Sequence, residues 1–568
     1  MTAGTSAVRS WGESGTVERR TRTVSLVILV LALGVLVLRP LFQIQRRAIT
    51  DGAAGYKAAY IDDPFIGEAI RTTILLTLGS LVIALVLGTS LAWIAFRLPR
   101  RLRWMAVFPV MPIVIPTAAS VTGWIFLFAP RIGYGNAVLR WFPWWSDVTR
   151  GPIDVYTLPW IVLNTGIGLA AFVYLFISSG LAGINGELLE SAEICGSSKL
   201  GAFFRVTLPL LRPSLVYATA ISLLLGLGQF TGPLLLGRTE NVRVLTTQML
   251  THMSESPVNF NAAAGIGAPL MVIGLIFVLA QRKLLGNQDR FVTHGAKGFR
   301  PTGRTSRVGV IALGIYGLIA AILPLTALLI VALSPRWSAE FAPSDFTLEH
   351  FREAFETDNV TTAIRNSITY SMTAAAIVIP LGFVCASILV RGRRVRVLRS
   401  ALDYLVAMPL GIPAVVFGVG FLFAYSGPPL DLYGTKWVMI VVYITLMLPF
   451  VTRMQASGMI SLGSQYFEAS RVAGAGGLRT TAQIVLPLMR NALGATAALT
   501  FIILSHEFGA SLLVRSPTTQ VLGTALYDAL TLGAYSEVAV LALVMTGVVL
   551  AGLGVAFLLG GRSVLNRL

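Results

Sequence analysis

Charge is scarce in this chain. Of its 568 residues only 12% are Asp, Glu, Lys or Arg, 55% are hydrophobic, and the mean hydropathy is +0.76. Soluble domains carry about 25% charged residues, so a water-soluble globule is excluded and an integral membrane protein is expected. The two cysteines, Cys195 and Cys385, cannot build a disulfide framework. Histidine is down to four residues, and neither His-Glu-x-x-His nor Cys-x-x-Cys occurs. Zinc hydrolysis and thiol redox chemistry therefore have no residues to carry them. No Gly-x-x-x-x-Gly-Lys-Ser/Thr loop is present to cradle ATP phosphates. Ser505-His506-Glu507 contains the residue types of a catalytic triad, but neighbours on one helix point about 100° apart and cannot relay a proton in sequence.

Long apolar runs take the place of charge. Stretches of about 20 residues, enough to cross the hydrocarbon core, fall near 24–44, 70–96, 104–128, 156–182, 214–236 and 262–284. Six more lie near 308–333, 364–390, 401–424, 437–459, 491–514 and 536–560. The first run is too long for a signal peptide and lacks a small-residue cleavage site. The expected fold is all-α, with about 12 transmembrane helices. Residues 1–23 read as a polar, cytoplasmic tail without fixed structure.

The formal net charge is +18. Its distribution sets topology and does not mark a nucleic-acid surface. About 29 of the 44 basic residues fall in one set of alternate connections, which includes 97–103, 391–396 and both termini. That set is expected on the cytoplasmic side. Arg39, Arg46 and Arg47, at the other end of the first span, break the rule.

The two sets of six spans repeat. Ala69-Ile70-Arg71-Thr72-Thr73 is answered by Ala363-Ile364-Arg365-Asn366-Ser367, and Pro112-Ile113-Val114-Ile115-Pro116 by Pro409-Leu410-Gly411-Ile412-Pro413. Phe126-Leu127-Phe128 is matched with Phe421-Leu422-Phe423. The offsets run from 294 to 297 here and drop to 278 further on, which asks for a longer external connection at 130–158 than at 426–436. An even number of spans per half makes the duplication parallel: 24–285 and 308–568, joined by a basic cytoplasmic linker at 286–307. Equivalent helices are expected around a pseudo-twofold axis along the membrane normal.

At the 278 offset lies a second repeat, polar and basic between apolar segments. Glu190-Ser191-Ala192-Glu193-Ile194-Cys195-Gly196 is followed by Val206-Thr207-Leu208-Pro209, and Glu468-Ala469-Ser470-Arg471-Val472-Ala473-Gly474 by Ile484-Val485-Leu486-Pro487. The glycine permits a turn at positive φ, and the proline cannot lie deep inside the next helix without breaking it. The pattern predicts helix, glycine turn, then a short helix leading back into the membrane.

These paired motifs resemble the EAA loop of bacterial ABC importer permeases, with Ser191 and Ser470 in place of alanines. The resemblance implies a fold like that of the type I importers, with both permease halves on one chain, in the bacterial inner membrane. In that family the loop docks on a cytoplasmic ATPase, so Glu190, Ala192, Gly196, Leu208, Pro209, Glu468, Ala469, Gly474, Leu486 and Pro487 are the expected coupling residues. Two ATPase copies would bind the ATP and Mg, leaving this chain with no cofactor and no enzymatic activity. An extracytoplasmic binding protein would deliver the cargo, and membrane lipid would surround the spans. No nucleic acid is expected.

Within the spans, Leu504-Ser505-His506-Glu507-Phe508-Gly509-Ala510 holds an acid where an acid is costly. Its repeat partner is Gln229-Phe230-Thr231-Gly232. Glu507 and Gln229 are assigned to the translocation path or its gate, with capping of a broken helix and a purely structural hydrogen bond as alternatives. Glu507 is expected to face a water-filled cavity near the external end of its helix. Pro109, Pro112, Pro116, Pro409 and Pro413 are read as kinks or as helix starts. Glu-Phe-Gly-Ala resembles a string in iron, thiamine, molybdate and sulfate importers. As a fused permease of this size with two EAA loops, the chain most resembles those of iron(III) importers, which implies iron(III) as cargo, then thiamine, then aminophosphonate or polyamine. A secondary transporter is the rival class, with Glu507 its one plausible coupling acid.

Overall fold

The computed structural model describes residues 4–146, 149–184, 191–192, 194–285, 307–391, 396–463 and 465–560. Nearly all of this is helix. The first half holds α1 (Gly4–Tyr60), α2 (Ile66–Phe96), α3 (Thr117–Phe128), α4 (Leu158–Ala182), α5 (Arg212–Leu227), α6 (Thr231–Leu236), α7 (Leu245–Ser254) and α8 (Phe260–Leu285). The second holds α9 (Leu323–Leu333), α10 (Asp358–Arg391), α11 (Ala414–Tyr425), α12 (Lys436–Ser461), α13 (Gln465–Val472) and α14 (Leu486–Ser505). It ends with α15 (Gly509–Val514), α16 (Leu522–Thr531) and α17 (Tyr535–Gly560). The expected linker at 286–307 lies outside the described residues except for Arg307.

Among the described residues, ten helices are long and apolar enough to cross a bilayer, and two bent pairs bring the number to 12 if each is one span. The bends measure 95° and 112° and fall at Pro116 and Pro413. A residue before proline is pushed out of the helical region; Ile115 and Ile412 are extended, with ψ 128° and 126°. These two prolines break helices, whereas Pro112 and Pro409 sit at helix starts. The polar N-terminal stretch, expected without structure, is helical from Gly4; no proline interrupts the run back from the first span. That helix is broken instead at Thr50–Ala53, where Asp51, Gly52 and Ala53 have positive φ.

The connection at 130–157 is the longer one. It carries a short helix, Tyr134–Leu139, and a turn at Pro143–Trp145, where its counterpart has only a two-residue hairpin. Since α3 and α11 have the same length, their starts and ends fix one offset, 297. Phe126 thus answers Phe423, two residues away from the match made on residue identity. Past the connection, α4 and α12 start 278 residues apart.

The halves interlock through their first helices. α3 packs on α9 of the other half and α11 on α1. A Cβ on Gly123 would stand 2.4 Å from the Pro324 carbonyl oxygen, and one on Gly420 would stand 2.9 Å from that of Pro40. Glycine is what lets these backbones touch. The same pairing, seen twice with exchanged halves, is the signature of a parallel repeat about a pseudo-twofold axis.

Candidate functional sites: two glycine-closed loops and a broken-helix centre

The two loops expected to couple are built alike. In the second, α13 ends in a Schellman motif: Ala475 N–H donates to the Ser470 carbonyl and Gly474 N–H to that of Arg471, both at 3.0 Å. Such a cap places its closing residue in the left-handed region, and Gly474 has φ +73°. In the first loop Ser197 N–H donates to the Ala192 carbonyl at 3.0 Å, with Gly196 at φ +80°. The predicted glycine turns are therefore present in both copies. Glu190 lies outside the described residues. Glu468 and Ala469 are exposed. Val472, Leu478 and Ile194 are 91%, 89% and 86% exposed, so both loops present bare aliphatic side chains beside polar ones.

Ser470 departs from the family pattern for a visible reason. It is buried, and its hydroxyl shares a 2.7 Å hydrogen bond with Thr480 Oγ1, tying α13 to the segment that follows. From the other side, the Arg391 guanidinium at the end of α10 lies 3.4 Å from the centre of the Phe467 ring.

Leu208-Pro209 and Leu486-Pro487 behave differently from expectation. Each proline sits inside a continuing helical run, directly after a five-residue π-helical turn, Phe203–Thr207 or Thr481–Val485. Proline supplies no N–H and clashes with the carbonyl four residues back. The wider turn removes that clash, so the helix proceeds into the membrane.

The fifth span of each half, read in the sequence as a single apolar run, is broken. α5 stops at Leu227 and α6 starts at Thr231; α14 stops at Ser505 and α15 starts at Gly509. Glu507 sits in the second break. Its carboxylate accepts from Ala510 N–H at 2.8 Å and Ser511 N–H at 2.9 Å, and also from the Ser511 hydroxyl. Tyr443 of α12 meets the same Ser511 hydroxyl at 2.9 Å. The carboxylate thus caps a short helix, the alternative reading of this acid, and satisfies first-turn N–H groups that a helix start leaves without intrahelical partners. Ser511 and Tyr443 were missed in the sequence, although Ser511 stands four residues after Glu507, the spacing that brings a cap and the first helical turn together.

Gln229 occupies the equivalent break, where its carbonyl accepts from the Thr246 hydroxyl. The residues that follow Gln229 and Glu507 meet: Phe230 and Phe508 stack with centroids 5.8 Å apart and planes 29° from parallel. Two repeat-equivalent side chains can touch only near the axis relating the halves. The breaks therefore converge at the centre of the molecule. Ser505 donates to the Ile502 carbonyl, so Ser505, His506 and Glu507 form no catalytic relay. Among the described residues, no cluster of three or more His, Cys, Asp or Glu could hold a metal ion.

Beyond each break a short helix closes the far end of the bundle. Leu245 N–H donates to Thr73 Oγ1 at 2.9 Å, and Leu522 N–H donates to Ser367 Oγ at 2.8 Å. In the first half only, Asp63 accepts from Gln248 Nε2 at 2.7 Å and meets His252 Nε2 at 2.9 Å.

The family model described as "Binding-protein-dependent transport system inner membrane component" matches this chain twice, at residues 84–286 and 378–564. The chain belongs to that family. Each match spans one half, with its glycine-closed loop and its broken helix, so the duplication is one of the family domain. Members are inner membrane components of transport systems, and this chain is such a component and not an enzyme. It is similar to the ferric transport system permease protein FbpB of Actinobacillus pleuropneumoniae, 23% identical over 435 residues. That alignment covers 74% of this chain and 61% of the relative, so the chain spans less than two thirds of that relative's length. The putative 2-aminoethylphosphonate transport system permease protein PhnV of Salmonella typhi is 27% identical over 250 residues, 44% of this chain and 93% of the relative. The sulfoquinovosyl glycerol transport system permease protein SmoG of Agrobacterium fabrum is 31% identical over 236 residues, 39% and 71% of the two chains.

Proposed function

We propose that this chain carries both permease halves of an ABC importer, with ATP-driven alternating access around the pseudo-twofold axis. Two ATPase subunits, carrying the ATP and Mg, dock on the loops at Gly196 and Gly474. A binding protein delivers cargo at the opposite end, and both termini of the chain lie in the cytoplasm. The observation that carries this reading is the pair of glycine-closed loops with exposed aliphatic tips, one per half. A carrier driven by an ion gradient has no use for two matched docking loops, and Glu507, its one candidate coupling acid, is committed to a helix cap.

The breaks at Gln229 and Glu507 act as the gate. Their half-helices hold Phe230 against Phe508, and parting of the halves would separate the rings. Iron(III) is the cargo we favour, because the ferric permease is matched across both halves whereas the aminophosphonate and sulfoquinovosyl glycerol permeases each match about one. The test is to purify the partner binding protein and identify its retained solute, with metal analysis included. Iron supports the assignment; an organophosphonate or a sugar replaces the cargo and leaves the importer reading intact. Nucleotide-independent uptake by the chain alone would overturn the importer reading itself.

A further inference from the structure

Arg46 and Arg47 lie near the outer end of the first span, remote from the coupling loops, where topology gives no reason for positive charge. The duplication supplies a comparison within the molecule. The Gly420–Pro40 and Gly123–Pro324 contacts align α1 with α9 and α11 with α3, so Arg47 answers Val331 and Phe423 answers Phe126. Phe260 and Tyr535, the first residues of α8 and α17, answer each other. The ring pairs match in kind. Phe260 and Phe423 meet edge to face at 6.1 Å and 89°; Phe126 and Tyr535 do so at 6.4 Å and 87°.

What fills the angle between each pair differs. Beside Phe126 and Tyr535 it is a third ring, Trp337, with its centroid 4.8 Å from both. Beside Phe423 and Phe260 it is the Arg47 guanidinium, 4.3 Å and 5.8 Å from the two centroids. The fold closes this corner with an aromatic ring and has no structural need of a cation there.

A second observation points to a ligand. Around Arg47 opens a cleft of about 360 Å³ lined by Gln43, Arg46, Arg47, Thr50, Asn261 and Phe423. Four of these side chains carry N–H donors, and the Thr50 hydroxyl donates to the Arg46 carbonyl. Among the described residues no carboxylate lies within 4.0 Å of either arginine. A guanidinium stacked on an aromatic face keeps its in-plane donors free. Here they border a cleft rich in donors and without a counter-ion.

We propose that this cleft binds a phosphate-type oxyanion. Arg47, fixed by its aromatic seat, presents paired N–H donors; Arg46 adds charge, and the Gln43 and Asn261 amides supply further donors. The group is either a free phosphate or the phosphate of an anionic lipid headgroup. Arg46 lies 22 residues beyond Val24 along α1, about 33 Å of helix, which reaches the level of the outer headgroups.

The test uses the full chain in nanodiscs. In phosphatidylcholine discs, inorganic phosphate is titrated and binding followed by calorimetry; in discs containing phosphatidylglycerol, retained lipid is counted by native mass spectrometry. Arg46→Gln/Arg47→Gln removes the charge, and Arg47→Trp replaces the guanidinium by a ring, the kind of group that fills the corner of the other half, though from a different position. Saturable phosphate binding in phosphatidylcholine discs identifies a free oxyanion; preferential retention of phosphatidylglycerol without a phosphate response identifies a headgroup. In either case both variants should bind at least about tenfold more weakly, as loss of charge-assisted hydrogen bonds implies. The proposal is overturned if the wild-type chain favours neither probe, or if folded Arg47→Trp binds as tightly as wild type.

Discussion

Replacing Glu507 by alanine isolates what the buried acid does. Its carboxylate takes two backbone donors, from Ala510 at 2.8 Å and Ser511 at 2.9 Å, together with the Ser511 hydroxyl. A buried donor left without a partner costs about 1–3 kcal/mol. Two such donors set a range of about 2–6 kcal/mol, and because Glu507 is not fully enclosed, water can lower the loss towards the bottom of it. The Ser511 hydroxyl keeps Tyr443 as a partner, so it adds little. Glu507→Gln retains one carbonyl oxygen and should lose roughly half as much, while Glu507→Ala should free α15 to fray and let Phe508 leave Phe230. Thermal denaturation of the purified chain, read by size-exclusion fluorescence, should rank wild type above Glu507→Gln above Glu507→Ala. Uptake in cells should fall in the same order at matched membrane levels. Wild-type thermal stability and uptake for Glu507→Ala would refute the capping argument outright.

Other outcomes follow from the same geometry. A Cβ at Gly196 or Gly474 meets nothing within 4 Å, so the cost of Gly196→Val/Gly474→Val is the left-handed backbone alone, about 1–2 kcal/mol at each site. Membrane levels should hold while uptake collapses, and the corresponding Asn double variant should retain most uptake; normal uptake in the Val variant would contradict a coupling role. Gly123→Ala pushes a methyl against the Pro324 carbonyl and should lower the amount of folded protein, whereas Gly547→Ala, with open space around it, should not; equal yields would contradict the close packing of α3 on α9. Burial opposes the Asp63 charge, but the Phe65 N–H, Gln248 and His252 outweigh it and hold its pKa below the usual value. Its stabilising contribution is therefore complete above the unfolded value, about 3.9, and is lost as pH falls through the lower folded value. Asp63→Asn should flatten the acid limb of the thermal stability profile, and an unchanged limb would contradict this.

Residues whose role is local were legible in the sequence. Gly196 and Gly474 announced their turns because only the backbone requires them, and Pro116 and Pro413 announced their breaks because proline acts on its own neighbours. The break at 506–508 was open in the sequence only as one reading of Glu507, and that at 228–230 was not legible, since neither stretch holds a proline and nothing local forces Leu227 or Ser505 to end a helix. Tertiary contact decides there: Phe230 meets Phe508 only once the halves are assembled. The register of Phe126 was misread by two residues because identity matching favoured Phe421, whereas the equal lengths of α3 and α11 leave no room for a shift. Arg47 was visible as an anomaly of charge, but its aromatic seat joins α1 and α8 of one half to α11 of the other.

The central claim is that each half carries one working docking loop for an ATPase. Native mass spectrometry of the complex purified through this chain counts those subunits directly. The account predicts two per chain in the wild type, one when Gly474→Val alone misdirects the second loop, and none in the Gly196→Val/Gly474→Val double variant. A single ATPase on the wild-type chain, or two retained by the double variant, would contradict it.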